Sequence, residues 1–295
     1  MPVRPRKKKK VSADVSTDNS QNKAPQAVDR DSTTSNAAAA AAATVISEMV
    51  TATTVVHNGN AIRVIPTIVS RKLSCEGEVS VAIRHLKAAD PLLARVIDAH
   101  QSPSFDTSQP PFFALTKSIL YQQLADKAAT SIYTRFVSLC GGEAGVVPDA
   151  VLSFSVPQLR EIGVSARKAS YIHDLASKYH KGILSDASII DMEVEALFEM
   201  LTMVNGIGPW TVHMFMIFSL HRPDVLPIGD LGVRKGVQFL YGLKQLPRPN
   251  QMEKLCEKWI PYRSLGAWYM WRLAGAKGTQ ASAAATTHSR SNIKV

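Results

Sequence analysis

The sequence is short of cysteine. Its three, Cys75, Cys140 and Cys256, are odd in number and far apart. That excludes a disulfide framework or a zinc-ligand spacing and points to a reducing intracellular compartment. No apolar run reaches the ~18 residues that a membrane span needs, and the polar start of the chain lacks the apolar stretch of a secretory signal. Large apolar side chains are scarce at both ends. Residues 1–60 pass from a basic block through Ser, Thr, Asp, Asn and Gln to an unbroken run from Ala37 to Ala43. The stretch from Lys277 to Val295 is rich in Ala, Ser and Thr and holds no aromatic residue. Such segments bury too little apolar surface to offset the entropy of ordering. Residues 1–70 and 276–295 are therefore expected to be disordered tails around one domain at 78–275.

Acidic residues are outnumbered, 24 against 34 Lys and Arg, for a net charge of +10. Part of the excess is concentrated in Arg4, Arg6, Lys7, Lys8, Lys9 and Lys10. A block of this kind serves as a nuclear address, as a phosphate-binding arm or simply as a solubilising tail; the nucleus is the expected location. The rest of the chain stays modestly basic, which suits a nucleic-acid surface but fits an RNA-binding or membrane-surface protein as well.

What the middle of the chain has in quantity is helical pattern. Val79 to Leu86 reads as one helix and Pro91 to His100 as the next, with Asp90 as cap and Pro91 at the first helical position. Phe112 to Leu139 keeps a helical apolar face with a break near Gln122 and Gln123, ending at Gly141-Gly142. Ser165 should cap a helix to about Lys178, and Asp191 another. Trp210 to Leu220 is apolar almost all round and reads as a buried central helix. Leu231 to Tyr241 stops at Gly242, and Met252 to Leu273 is the last helical stretch. The fold expected is all-α, without βαβ alternation.

Between two of these helices lies Asn205-Gly206-Ile207-Gly208-Pro209. The glycines allow a tight turn and close backbone approach, and Pro209 suits the first position of the next helix. Gly206, Ile207 and Gly208 would then present free amides beside a helix N-terminus, a site for a DNA phosphate. An ordinary glycine-capped corner would look the same in isolation. Further on, Asp230 follows Pro227 and Gly229 and precedes a helix. Most aspartates in such a place only cap. The same position favours negative charge, and an ionised carboxylate there can stabilise a cation developing on a sugar.

Taken together, Val204-Asn205-Gly206-Ile207-Gly208-Pro209-Trp210-Thr211 and Val225-Leu226-Pro227-Ile228-Gly229-Asp230 resemble the helix-hairpin-helix and Gly/Pro/Asp signature of the DNA glycosylase superfamily, closest to its 3-methyladenine DNA glycosylase II branch. The resemblance covers roughly residues 80–275, including Ile119 to Leu124 and Trp259 to Ser264. It implies a helix-hairpin-helix glycosylase fold, two helical lobes flanking a cleft. It also implies a monomer that acts on double-stranded DNA carrying a damaged base, without a membrane, and excises alkylated purines with Asp230 as the catalytic carboxylate. Bifunctional relatives place an amine nucleophile just after the hairpin; Trp210 stands there, so water is the expected nucleophile and no lyase activity is expected. Four closely spaced cysteines for an iron–sulfur cluster are missing. By resemblance alone, the carbonyls of Thr202, Val204 and Ile207 would hold a structural Na⁺ or K⁺.

A flipped cationic base suits a π-rich pocket. The resemblance favours Trp210 and Trp271 for it, with Trp268, Tyr269, Phe112, Tyr121 and Met214 as further candidates; Met214 departs from a tyrosine in related enzymes. Gln123, then Leu124, matches the segment whose side chain fills the gap left by the base. His213 reads as a core histidine and Asp224 as structural. Two rival functions stay open: a non-enzymatic helix-hairpin-helix DNA-binding module, and a monofunctional glycosylase for uracil, hypoxanthine or oxidised bases.

Overall fold

The computed structural model describes residues 52–58, 61–67, 70–106 and 108–276. The basic block and the stretch from Lys277 lie outside them. The first described element falls within residues 1–70, the stretch that the sequence reading takes as an N-terminal tail. Strand β1, Ala52–Asn58, pairs antiparallel with β2, Ala61–Thr67, in a register running from Ala52 opposite Thr67 to Asn58 opposite Ala61. The physical reason is in the sequence: both strands are rich in β-branched residues, and Thr53 to Val56 stand opposite Pro66 to Arg63.

From residue 78 onward the described chain is helical, as expected. The first four helices are α1 Glu78–Ala89, α2 Pro91–Asp98, α3 Pro111–Tyr121 and α4 Asp126–Leu139. Two short ones follow, α5 Pro148–Ser153 and α6 Val156–Glu161, then α7 Ala166–His180, α8 Asp186–Asp191 and α9 Val194–Thr202. The set ends with α10 Pro209–Phe218, α11 Leu231–Tyr241, α12 Pro249–Cys256 and a last helix, α13, over 263–276. Helices α3, α5 and α6 pack on α7 and α4 and α8 on α3, while α1 and α2 pack with α11 and the turn after α12; α10 meets both α3 and α9. These are the two helical lobes.

Local chemistry explains most boundaries. Asp90 accepts from the Leu92 and Leu93 amides at 3.1 and 3.4 Å and starts α2. Ser165 starts α7, and Gly242 ends α11 in the left-handed region at φ 62°. Two readings fail. Asp191 is the last residue of α8 rather than a cap; α9 starts after Glu193 without a side-chain cap. And α10 is not buried all round: Val212, Met216 and Ile217 are fully enclosed, but Trp210 and Phe218 are 55% and 45% exposed. An apolar side chain left this open on an otherwise core helix marks a surface that something else covers.

Candidate active site and DNA-binding hairpin

Asp230 is the N-cap of α11, and its Oδ1 accepts the Val233 amide at 2.8 Å. A cap would need no more. Yet the Trp271 indole donates to the same oxygen at 2.8 Å, and the Trp210 indole donates to Oδ2 at 2.7 Å. Indole and amide N–H groups can only donate, so the carboxylate is the one acceptor of the cluster. Bonds of this kind to a charged acceptor are roughly twice as strong as neutral ones. They fix the carboxylate in one orientation while it remains 9% exposed. Oδ2 accepts a single hydrogen bond, which leaves it capacity toward the open side.

Gly232 makes the second indole contact possible. A Cβ built there would lie 2.6 Å from Trp271 Cδ1 and 3.1 Å from both Asp230 Oδ1 and Trp271 Nε1. Only bare backbone admits the ring this close. Phe218 then packs against the Trp271 ring, centroids 5.6 Å apart and planes tilted by 33°. Three apolar side chains attached to this cluster are open to solvent: Trp210, which donates to Asp230, Phe218, which packs on Trp271, and Leu231, the residue after Asp230, 53% exposed. Sequence reasoning missed Gly232 and Phe218. A glycine inside a helix that costs about 1 kcal/mol against alanine was the available signal for Gly232.

The other pocket candidates make their contacts elsewhere among the described residues. Phe112 is buried edge-on against Tyr179, with ring centroids 4.9 Å apart. Together they line a separate cavity of about 1020 Å³ whose wall includes Glu143 and Asp186. Trp268 lies under the Arg272 guanidinium at 4.5 Å, beside loop 99–104, and the fully buried Tyr269 meets its edge. Tyr121 donates to or accepts from Thr130 at 3.3 Å and packs on Tyr133. Met214 packs half-buried on the core. An aromatic at helical spacing says only that it is buried, not which wall it forms. His213 packs on Phe198 next to Asp224, and burial lowers its pKa from the ordinary imidazole value. Asp224 is clamped by Arg263, whose Nε and Nη2 donate at 2.7 and 2.8 Å.

The hairpin joins α9 to α10. Its Ile207 amide donates to the Val204 carbonyl at 3.0 Å, so Ile207 does not present the free amide that the sequence suggested. Its side chain is 3% exposed and anchors the turn in the core. The amides of Gly206 and Gly208 make no hydrogen bond among the described residues. Gly208 is an extended cap with no side-chain bond, so the α10 N-terminus keeps unpaired donors. Gly206 sits at φ 83°, and a Cβ on it would fall 2.1 Å from the Tyr171 ring. Asp174 accepts the Asn205 amide at 2.7 Å through Oδ2 and holds Lys178 at 2.7 Å through Oδ1. Burial pushes the Asp174 carboxyl up, but these bonds outweigh it and bring it below the ordinary carboxylate range. The break between α3 and α4 lies alongside: Gln122 donates to the Gly206 carbonyl at 2.8 Å, and Gln123 and Leu124 are exposed, Gln123 at φ 55°.

The comparisons agree with this architecture. Residues 116–262 match the model of the HhH-GPD superfamily base excision DNA repair proteins. DNA-3-methyladenine glycosylase 1 of Schizosaccharomyces pombe is 34% identical over 163 residues, 55% of this chain and 72% of the relative. The crystal structure of a DNA-3-methyladenine glycosidase from Bacillus halodurans superposes with a TM-score of 0.63 at 34% identity, covering 71% of this chain and 94% of that one. The S. pombe 3-methyladenine DNA glycosylase in complex with abasic DNA superposes with a TM-score of 0.56 at 32% identity, covering 65% of this chain and 95% of that one. A helical fold with a glycine hairpin and a donor-clamped aspartate is that of a base-excision repair protein. The chain belongs to the HhH-GPD superfamily.

Proposed function

We propose that this chain is a monofunctional DNA glycosylase that excises alkylated purines of the 3-methyladenine type from double-stranded DNA. The observation that carries the reading is the Asp230 carboxylate, held by two indoles and an amide at an open apolar surface. The names of the relatives support the substrate class. Trp210 and Trp271 would offer the flipped base their faces while their N–H groups hold the carboxylate. A base alkylated at a ring nitrogen is already positive, so the glycosidic bond breaks with its electron pair leaving to the base nitrogen, and no strong acid is needed. Asp230 stabilises the positive charge left on the sugar and orients the water that attacks C1′. Trp210 stands where bifunctional relatives carry an amine, so no covalent intermediate forms.

Hairpin amides of Gly206 and Gly208 would take a DNA phosphate, and Gln123 or Leu124 the gap left by the base. By resemblance, a structural Na⁺ or K⁺ would be held by the carbonyls of Thr202, Val204 and Ile207. Val204 already accepts one amide, and a carbonyl oxygen has a second lone pair. The ion would tie hairpin to phosphate. The protein would act as a monomer in the nucleus, addressed by Arg4 to Lys10; a truncation starting near Ser70 should keep excision and lose nuclear import. The test of the activity is a single-turnover excision panel, with methylated adenine, ethenoadenine, hypoxanthine and uracil in duplex DNA, run with borohydride. Release of methylated adenine without a trapped adduct is expected. An adduct, or binding without release of any base, rejects the proposal.

A further inference from the structure

Sequence places Gln122 only at the break in the helical pattern, with Gln123 as the wedge. The structure gives it a separate task. Its side-chain amide leaves the α3–α4 loop and donates to the carbonyl of Gly206, 84 residues away, at 2.8 Å. Gly206 is the hairpin residue whose own backbone is fixed twice over, by its left-handed φ of 83° and by the Tyr171 ring where its Cβ would be. The next residue of the loop, Gln123, holds a left-handed backbone at φ 55° without being glycine, a conformation that persists only where the surroundings impose it. Behind the loop, Lys168 donates to the Leu120 carbonyl at 2.7 Å. Lys168, Tyr171 and Asp174 are on successive turns of α7, and they touch the root of the loop, Gly206 and Asn205 respectively. One helix thus carries both the loop and the hairpin, and Gln122 closes the remaining side.

We infer that Gln122 is a positioning residue that registers the loop bearing Gln123 and Leu124 against the phosphate-binding hairpin. This inference rests on the glycosylase reading above. When the amides of Gly206 and Gly208 engage a phosphate, the Gln122 bond fixes where the loop tip enters the duplex relative to that phosphate. Removing it leaves the phosphate donors in place but lets the tip wander. Base flipping is lost, and binding to undamaged DNA is kept.

The variants are Gln122→Ala and Gln122→Glu in the full chain. The first measurement is flipping, read by 2-aminopurine fluorescence opposite a lesion; the second is the single-turnover excision rate, and the third is affinity for undamaged duplex. Loss of one hydrogen bond of this class corresponds to about a tenfold drop in flipping and excision, with undamaged-duplex affinity and thermal midpoint within about twofold and a degree or two of wild type. Gln122→Glu has the same shape, yet its carboxylate cannot donate. It should fail like Gln122→Ala near neutral pH, and its activity relative to wild type should rise as acid protonates it and restores a donor to the Gly206 carbonyl. A purely structural glutamine would give no such pH-dependent recovery. Wild-type flipping in Gln122→Ala, or a loss of excision that follows unfolding and undamaged-duplex affinity together, overturns the inference. Wild-type protein that releases no methylated adenine overturns the glycosylase reading instead, and the two failures are therefore separate.

Discussion

Asp90 and Asp230 begin as the same device. Each caps a helix, each accepts amides of the following turn, and each receives a tryptophan N–H. Around Asp90 the cluster is closed: Tyr241 Oη at 2.5 Å, Trp259 Nε1 at 3.0 Å and the Lys258 ammonium at 3.3 Å converge on Oδ2, and the residue is 1% exposed. Trp259 is fully enclosed. Around Asp230 no cation pairs with the carboxylate among the described residues, and one of its two indoles is more than half exposed. The local motif is therefore not what separates a closed clasp from the proposed reaction centre. Asp90 has its charge matched and its surroundings filled. Asp230 has its orientation fixed but its charge unmatched and one side open, which is the state a developing cation requires.

The comparison breaks most visibly if the two aspartates are exchanged in effect. Asp230→Asn keeps the cap and should leave the thermal midpoint within a few degrees. The excision barrier should rise by ~2.7–4 kcal/mol, roughly a hundredfold to a thousandfold in rate, measured under single turnover. Asp90→Asn should do the reverse: excision per folded molecule unchanged, stability lower by about 1.5–3 kcal/mol as the buried Trp259 and half-buried Tyr241 donors lose a charged acceptor. The partly exposed Lys258 adds little to that figure. Near wild-type excision in the first variant would make Asp230 a second Asp90.

Acid sharpens the Asp90 half. Burial alone would raise its carboxyl, but hydrogen bonds from Tyr241, Trp259 and the Leu93 amide, with Lys258, bring it below the ordinary value. The folded form thus binds its proton at lower pH than the unfolded chain. Its contribution is full above the ordinary carboxylate range and is lost as pH falls through the depressed value. Urea midpoints taken from neutral pH into that range should fall for wild type and fall less for Asp90→Asn; parallel curves would remove the assignment.

A subtler break is Gly232→Ala. The added methyl meets the Trp271 ring at 2.6 Å, so ring or helix must shift, at about 1–3 kcal/mol, offset in part by about 1 kcal/mol of helix propensity. Excision should fall about tenfold or more while the fold survives. Wild-type excision would show that the second indole is dispensable. The smallest effect on the fold belongs to Gly208→Ala, whose Cβ meets nothing within 4 Å. Affinity for any duplex should weaken by roughly three- to tenfold, the scale of one hydrogen bond, because phosphate contacts carry no base information. Gly206→Ala is the poorer probe, since it strains the backbone and strikes Tyr171. Unaltered duplex affinity in Gly208→Ala would sink the phosphate role.

Much of the helical framework was legible because its signals are local. Asp90, Ser165 and Gly242 mark ends through atoms within a turn of themselves. Helices α5, α6 and α8, six residues each, are too short to show a 3.6 period, and the β-hairpin lay in a stretch judged by composition rather than by alternation. At the candidate site, Asp230, Trp210 and Trp271 were named from spacing and resemblance, and the three side chains meet. Phe112 and Trp268 were drawn in by residue type, which does not say which wall an aromatic forms. Gln122 was passed over for its neighbour because a bond across 84 residues leaves no trace in local sequence.

Gly232 and Trp271 also constrain what descent can do with this chain. The indole reaches Asp230 only through the space of a missing methyl, so the two positions form one unit of variation although they belong to different helices. A lineage that fills 232 must shrink or turn the ring at 271, and with it the surface that Phe218 packs against. A lineage that keeps the ring inherits the bare position. Novelty in what this surface accepts is therefore reached through paired substitutions here, or through single ones at the exposed Leu231.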